Sequence, residues 1–312
     1  MKRFITIVLT VLATVGTLDW VIGKAMDAML PQISNQGDTG KTYFALNEVN
    51  TPVVIVGSSR AAHHYVTQMV EDSLGMAAYN VGRDGCFYSY NCCVINSILD
   101  RYSPWLIIWE TSKDDLFGQG ADPLESLYPY YHRNNWVTAV LKSELPRTER
   151  VRLSSKVYRY NSVIHRVVMR YLGRNSFADG TLKGYLPLSP KKPLKPLSLD
   201  TESWEQNEVD DSKVERFRSI LCRAQEKGVK MVVVDSPKYK ESCGPCASAD
   251  IMKKLCEEYG ALFFDNMQMP YFLERPELFN DVTHLNNDGA KFYTEMFLAE
   301  IRESVELNGI SK

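Results

Sequence analysis

The chain predicts an α/β fold, a three-layer sandwich in which a parallel sheet of five strands lies between two layers of helices. Short apolar runs rich in β-branched residues alternate with longer amphipathic segments along much of the 312 residues. The runs are continuously apolar, a pattern typical of parallel strands that are buried on both faces. An apolar fraction of 45% is sufficient for a large core.

The predicted elements follow one another in regular order. The strands are residues 51–56, 77–81, 105–109, 229–235 and 261–264, and the helices are residues 60–74, 88–102, 211–227, 249–259 and 289–304. In open parallel sheets, sites form beyond the carboxyl ends of the strands. The residues that follow the first three strands, at positions 57–60, 82–85 and 110–115, are therefore candidates for function.

The N-terminal segment, residues 1–24, predicts a membrane anchor or an export signal. Lys2 and Arg3 precede about 15 apolar residues, and Asp19 interrupts the run before it ends. Because no clear cleavage site or lipobox cysteine follows, we expect an uncleaved anchor; a cleaved signal and a buried helix are the alternatives. Positive charge keeps the N-terminus in the cytoplasm, which predicts an extracytoplasmic, periplasmic location for the rest. Residues 25–50 are rich in polar residues and predict a stalk.

An insertion at residues 118–215 separates residues 51–117 from residues 216–312, which together form the predicted α/β domain. Residues 133–195 contain 14 Lys and Arg against 3 acidic residues, a net charge of +11. Residues 184–199 are rich in proline and lysine and predict extended backbone. We expect the insertion to cap the active-site side of the sheet. Its charge is explained equally well by an anionic neighbour, phospholipid headgroups or a charged glycan, and by a solvated surface.

Whole-chain composition constrains the partners and the redox chemistry only weakly. The net charge of −2 indicates no nucleic-acid partner. Seven cysteines, an odd number, leave at least one unpaired within an exported chain. Cys243-Gly-Pro-Cys246 lies between a strand and a helix, as a thioredoxin-type redox pair does, but Ser242 precedes it where such a pair has tryptophan. A local disulfide is therefore our interpretation.

Two short motifs carry the predicted chemistry. The first strand ends in Gly57-Ser58-Ser59-Arg60, and a late loop reads Asp281-Val-Thr-His284. Serine is a weak nucleophile at neutral pH and needs an adjacent base, which in turn needs a group to orient it. The chain supplies all three residue types, and the close Asp-x-x-His spacing places the imidazole and its carboxylate on one loop.

These motifs resemble the SGNH (GDSL-like) hydrolase superfamily, whose nucleophile follows the first strand and whose Asp and His lie three residues apart near the end. The resemblance covers residues 52–116 and 228 to the C-terminus, a little over half of the chain. It implies a flavodoxin-like sheet and a catalytic triad of Ser59, Asp281 and His284. It also implies an oxyanion hole formed by the backbone N–H groups of Ser59 and Gly85. No metal or organic cofactor is implied.

One block departs from the family pattern. The third block normally reads Gly-x-Asn-Asp and supplies an asparagine oxyanion donor, whereas Glu110-Thr-Ser-Lys-Asp-Asp115 contains no asparagine. Arg60 is a candidate for substrate binding or, equally, a residue in a surface salt bridge. His63 and His64 are expected to pack or to face solvent.

Taken together, these features predict a serine esterase or O-acyltransferase that acts on an extracytoplasmic glycan or cell-envelope substrate. The anchored layout resembles exported members of the superfamily that work beside membrane O-acyltransferases, so such an enzyme is a candidate partner, with an acylated glycan or lipid-linked substrate. The alternative is a non-catalytic assembly or glycan-binding protein that retains the fold.

Overall fold

The computed structural model of the chain describes residues 1–118, 122–174, 182–189, 200–203 and 207–307. These residues form two compact units. The first comprises residues 1–48 and the described part of 123–178, and the second comprises the described parts of 49–122 and 179–312. The second unit contains the predicted α/β domain.

The second unit is built on a sheet of five parallel strands, as the sequence predicted. The strands of the described residues are β1 (Val53–Val56), β2 (Ala78–Asn80), β3 (Leu106–Glu110), β4 (Asp200–Ser203), β5 (Lys230–Asp235), β6 (Lys240–Cys243) and β7 (Leu262–Asp265). The five-stranded sheet has the order β2-β1-β3-β5-β7, the flavodoxin-like arrangement. In addition, β4 and β6 pair in parallel as a separate two-stranded sheet, which the sequence did not predict.

The helices of the described residues are α1 (Lys2–Met29), α2 (Gly37–Asn47), α3 (Ser59–His64), α4 (Thr67–Leu74), α5 (Tyr88–Arg101), α6 (Asn135–Glu144), α7 (Arg147–Arg152), α8 (Ile164–Tyr171), α9 (Asp211–Glu226), α10 (Ala247–Tyr259), α11 (Pro270–Leu273) and α12 (Asn287–Leu307). Short 3₁₀ turns occur at Pro31–Ile33, Glu125–Tyr130, Tyr158–Tyr160 and Pro276–Leu278. The segment predicted as one helix over residues 60–74 is divided between α3 and α4. The division occurs at Tyr65–Val66, where the Thr294 hydroxyl accepts the N–H of Val66 at 3.0 Å.

The sheet is covered on both faces. Helices α3, α4 and α12 pack together on one face, and α5, α9 and α10 pack in series on the other. Because side chains alternate across a strand, Val53 and Ile55 of β1 contribute to the core beneath α12. On the opposite face Trp109 of β3 is fully buried between Tyr88 and Phe217.

The first unit contains α1, α2, α6, α7 and α8, and here the structure differs from the predicted domain boundaries. Residues 25–50 are the segment that the sequence predicted as a stalk. They complete α1 and form α2, because apolar side chains such as Leu30, Ile33 and Leu46 are buried within this unit. One helix of the described residues, α1, is long and apolar enough to span a membrane.

The predicted insertion is not a single element. Its residues from 123 onward belong to the first unit, whereas residues 182–188 belong to the second and bond to its backbone, as in Leu186 N–H to Ala62 O at 2.8 Å. The proline- and lysine-rich residues 190–199 lie outside the described residues. Cys246 is a buried free thiol that donates to the carbonyl of Lys113, so the predicted local disulfide with Cys243 is wrong.

Candidate active site

Ser59 is held at a tight turn between β1 and α3. It is the first residue of α3, which Ser58 precedes as the N-cap. The turn requires glycine at position 57, because a Cβ there would approach the Cβ atoms of Ala61 and Glu110 to 2.7 Å. The serine therefore stands at the carboxyl end of β1, where parallel sheets present their sites.

Asp281 and His284 lie on one loop between the 3₁₀ turn at Pro276–Leu278 and α12. Asp281 Oδ1 accepts the backbone N–H groups of Thr283 at 2.9 Å and of His284 at 3.0 Å, so the carboxylate organises the loop on which it lies. The same carboxylate contacts the imidazole, with His284 Nδ1 at 2.9 Å from Oδ1 and 3.0 Å from Oδ2. The loop thus aligns its own base.

These contacts keep Asp281 ionised. Partial burial disfavours the carboxylate, but the hydrogen bonds from His284 and from the N–H of Thr283 outweigh it and lower the pKa of Asp281. A carboxylate at Nδ1 assigns the ring proton to that nitrogen. His284 Nε2 is then free to accept a proton.

The three predicted triad residues are brought together. His284 Nε2 lies 2.7 Å from Ser59 Oγ, across 225 residues of chain. The order of contacts is Ser59 Oγ to Nε2, then Nδ1 to Asp281, which is the arrangement that activates a serine hydroxyl. The predicted proximity of the three side chains is confirmed.

A buried ion cluster lies beneath the nucleophile. The guanidinium of Arg60 pairs with Asp235 and, at 3.1 Å, with Glu110, and it donates to the carbonyls of Thr111 and Ser236. All three charged side chains are almost fully buried. Arg60 therefore lies in a buried salt bridge instead of the surface one that the sequence allowed. Its charge is already paired, but Arg60 also lines the cavity beside Ser59, so its role in substrate binding stays a prediction.

Burial and charge shift the pKa values of the two carboxylates of this cluster in opposite directions. Burial disfavours ionisation of Asp235, but the charges of Arg60 and Lys238, with the hydrogen bonds from Arg60 and from the N–H of Lys113, together outweigh it and lower the pKa of Asp235. For Glu110, burial outweighs the attraction of Arg60 and raises the pKa. Removing one partner of such a buried pair typically costs about 3–5 kcal/mol, because a charge is left uncompensated. The cluster therefore fixes the ends of β3 and β5 against α3.

His64 links this cluster to the loop of His284. It is fully buried; its Nδ1 lies 2.8 Å from Ser236 Oγ, and its Nε2 accepts the N–H of Leu285 at 3.0 Å. Burial, reinforced by the nearby charge of Arg60, lowers the pKa of His64 far below its usual value, so the ring is neutral. Of the two sequence-based alternatives for His64, packing is confirmed.

A cavity of about 260 Å³ opens beside Ser59. Its lining contains both carboxylates and ammonium groups, a suitable surface for a hydroxyl-rich ligand. The lining residues are Ser58, Ser59, Arg60, Phe87, Asn91, Glu110, Thr111, Ser112, Asp114, Asp115, Lys238, Lys240 and Thr283. Burial and the neighbouring Asp114 raise the pKa of Asp115 to about 7.

Asn91 is one of the cavity residues that the sequence did not predict. It projects from α5 and is 2% exposed, and its buried Oδ1 has no hydrogen-bond partner. Amide oxygen and nitrogen are assigned from their surroundings, so an unpartnered buried amide facing a cavity offers either a donor or an acceptor to a ligand. Asn91 lies 32 residues from Ser59, on a helix whose sequence is typical of a buried core helix. No local sequence pattern therefore identifies it as a site residue.

Gly85 lies at a turn before α5. It has a φ of 65° and is exposed, and a Cβ there would contact nothing. Phe87 and Asn91, which follow it, line the cavity, whereas Gly85 does not. The role of Gly85 as an oxyanion donor stays a prediction. Among the residues that the structure describes, no group of three or more His, Cys, Asp or Glu side chains is arranged to hold a metal ion.

Comparison with known proteins does not place the chain in a family. A scan against protein-family models finds no match, and a search of curated proteins finds no significant relative.

Proposed function

We propose that the chain is a serine-dependent acyl-ester hydrolase or O-acyltransferase of the SGNH type. The observation that carries the proposal is the contact of 2.7 Å between Ser59 Oγ and His284 Nε2, with Asp281 on the other ring nitrogen. The short motifs of the sequence and the geometry of the site point to the same three residues. A hydrogen-bonded Ser-His-Asp chain that opens into a polar cavity is the arrangement on which acyl transfer through serine depends.

The reaction proceeds in two steps. Ser59 Oγ attacks the acyl carbonyl carbon while His284 Nε2 takes its proton, and Asp281 stabilises the imidazolium. His284 then protonates the leaving alcohol, and the acyl group remains on Ser59. In the second step water or a sugar hydroxyl gives its proton to His284 and attacks the acyl-serine, and Ser59 leaves with that proton. Water gives hydrolysis, and a sugar hydroxyl gives transfer.

The negative charge on the tetrahedral oxygen needs hydrogen-bond donors. The backbone N–H groups of Ser59 and Gly85 are two candidates, as the resemblance implies. Residues 110–115 lack the asparagine of the usual third block, and Glu110 is committed to the buried ion cluster. Asn91 lines the same cavity and its buried Oδ1 has no partner; in the flipped amide orientation the NH₂ group takes this position, so we assign the third donor to Asn91.

The proposed substrate is an acylated glycan or a lipid-linked cell-envelope molecule on the periplasmic side of the cytoplasmic membrane. The support is the apolar helix α1 at the N-terminus, which begins with Lys2 and Arg3, and a cavity lined by many polar groups. This layout suits an enzyme that receives or passes an acyl group beside a membrane O-acyltransferase. The second candidate, a non-catalytic glycan-binding protein, is favoured by the missing asparagine of the third block.

Turnover of a small ester separates the two candidates. The purified protein should hydrolyse p-nitrophenyl acetate, and Ser59→Ala should lower kcat at least about 1,000-fold, because the nucleophile is removed. Ser58→Ala is the matched control, since it removes the adjacent hydroxyl, and it should change kcat only a few-fold. Equal turnover by the parent and Ser59→Ala would favour the glycan-binding candidate.

A further inference from the structure

Two acidic side chains on α1, Asp19 and Asp27, accept hydrogen bonds from residues 133–160 of the first unit. Asp19 accepts the hydroxyl of Ser155 at 2.5 Å and the backbone N–H groups of Lys156 at 2.8 Å and Val157 at 3.0 Å. Farther along, Asp27 accepts the hydroxyl of Tyr160 at 2.5 Å and pairs with Arg133 at 2.8 Å. The chain packs closely here, because a Cβ at Gly23 would lie 2.2 Å from Lys156 Cβ.

The hydrogen bonds that clamp Asp19 to residues 155–157 lie near the C-terminal end of an exposed apolar stretch of α1. Large apolar side chains from Phe4 to Ile22, such as Leu12 at 62% exposed, are left exposed by the part of the chain that the structure describes. Nineteen residues of helix measure about 28 Å, close to the thickness of a bilayer's hydrocarbon core. The carboxylate of Asp19 receives its hydrogen bonds near the end of this stretch, so residues 155–157 stand at the level where hydrocarbon meets headgroups.

Helix α7 is attached directly to this clamp. Backbone bonds from Ser154 N–H to Val151 O and from Ser155 N–H to Arg152 O, both 3.0 Å, lead from α7 into the residues that hold Asp19. On α7 the apolar Val151 is 64% exposed, between the exposed Arg147 and Arg152. The surrounding residues 123–174 contain 10 Lys and Arg against 3 acidic residues, a net charge of +7.

We infer that α7 and residues 153–157 form a membrane-contact surface for anionic phospholipid headgroups. Val151 inserts among the acyl-chain ends, and Arg147, Arg152 and the nearby Lys142 attract the phosphates. Lys and Arg residues close to an anionic surface are attracted to it, so these three residues give a contact that depends on lipid charge and salt. This inference rests on the proposed insertion of α1 into the membrane.

Photo-crosslinking in defined bilayers tests the surface. The full chain carries a benzophenone amino acid at position 151 and is reconstituted in vesicles of phosphatidylcholine, alone or mixed with phosphatidylglycerol. We expect lipid adducts in the mixed vesicles and at least about fivefold fewer in phosphatidylcholine alone or at high salt. Neutralising Lys142, Arg147 and Arg152 to Gln should lower the yield likewise. Neutralising Lys227, Lys253 and Lys254, three exposed lysines of the second unit, should not.

A second crosslinker position separates this inference from the anchoring on which it rests. The same amino acid at position 12, within α1, should give lipid adducts in both kinds of vesicle. Adducts at position 12 with none at position 151 would contradict the membrane-contact surface but not the anchoring. Adducts at position 12 with equal yields at position 151 in neutral and anionic vesicles would do the same. No adducts at either position would overturn the anchoring. Loss of the adducts at 151 when an acidic polysaccharide is added at constant ionic strength would assign the surface to a glycan instead.

Discussion

Ser58 and Ser59 are adjacent and chemically alike, and it is Ser59 whose Oγ lies 2.7 Å from His284 Nε2. The difference arises from position: Ser58 is the N-cap residue that precedes α3, whereas Ser59 begins its first turn. The contacts of the side chains around these two serines likewise distinguish their roles. The guanidinium of Arg60 forms buried ion pairs with Asp235 and Glu110. Asn91 lines the cavity beside Ser59, and its Oδ1 has no hydrogen-bond partner.

The first residue-scale prediction concerns Asn91. Asn91→Ala should lower kcat for p-nitrophenyl acetate about 100-fold with little change in KM, because a donor to the developing oxyanion acts mainly in the transition state. The matched control is Asn96→Ala on the same helix, whose amide donates to the carbonyl of Cys92 and which does not line the cavity. A kcat for Asn91→Ala equal to that of the control would remove Asn91 from the oxyanion hole.

The second residue-scale prediction concerns the carboxyl group of Asp115, whose pKa is raised from 3.8 to about 7. The fold favours its protonated form, so stability from this group is present below pH ~4 and is lost as pH rises through 7. Asp115→Asn has no ionisable group at this position, so the variant does not lose this stability as the pH rises. The variant's free energy of unfolding, relative to the parent, should rise by about 1–2 kcal/mol between pH 4 and pH 8, after a discount for solvent screening.

Denaturant unfolding at several pH values measures this difference for Asp115→Asn. The control for loss of an exposed carboxylate is Asp250→Asn on α10. A difference between Asp115→Asn and the parent that stays constant with pH would contradict the raised pKa.

At the scale of elements, the sheet was predictable and the packing around it was not. The five strands and the helices α5, α9, α10 and α12 follow from local patterns, because a continuously apolar β-branched run such as Val53–Val56 is stable only as a buried strand. The break between α3 and α4 was missed because it depends on Thr294, which lies 228 residues from Val66. The pairing of β4 with β6 was missed for the same reason, since polar strands carry no local signal.

The candidate site divides in the same way. Ser59, Asp281 and His284 were found because short motifs mark them. The ion cluster of Arg60, Glu110 and Asp235 was missed because its members are far apart in the chain and each has an ordinary local context. The stalk was predicted from polar composition, but Lys41 and Thr42 are polar residues that the first unit buries. Composition alone does not identify such tertiary burial.

At the scale of the whole molecule, the chain combines an apolar N-terminal helix with an α/β unit that carries the candidate site. Charges close to the ends of a span set its orientation, whereas basic residues in distant segments contribute little. Lys2 and Arg3 therefore predict a cytoplasmic N-terminus, even though residues 123–174 are strongly basic.

Reporter fusions test this orientation. A reporter that is active only outside the cytoplasm, fused after Leu30, should be active, and one that is active only in the cytoplasm should be silent. The full chain should also stay with membranes after washing with high salt and carbonate, because α1 is held by the hydrophobic effect. The reverse pattern of reporter activity would refute export, and release by carbonate would refute an uncleaved anchor.

The proposal as a whole depends on whether Ser59 is an activated nucleophile. A fluorophosphonate probe reacts with such a serine, and peptide mapping by mass spectrometry identifies the labelled residue. We expect a single adduct on Ser59, abolished in Ser59→Ala, retained in Ser58→Ala, and at least about 100-fold slower to form in His284→Ala because the base is removed. No labelling of the folded parent protein, or labelling that persists at the same rate in Ser59→Ala, would contradict the assignment of Ser59 as the nucleophile.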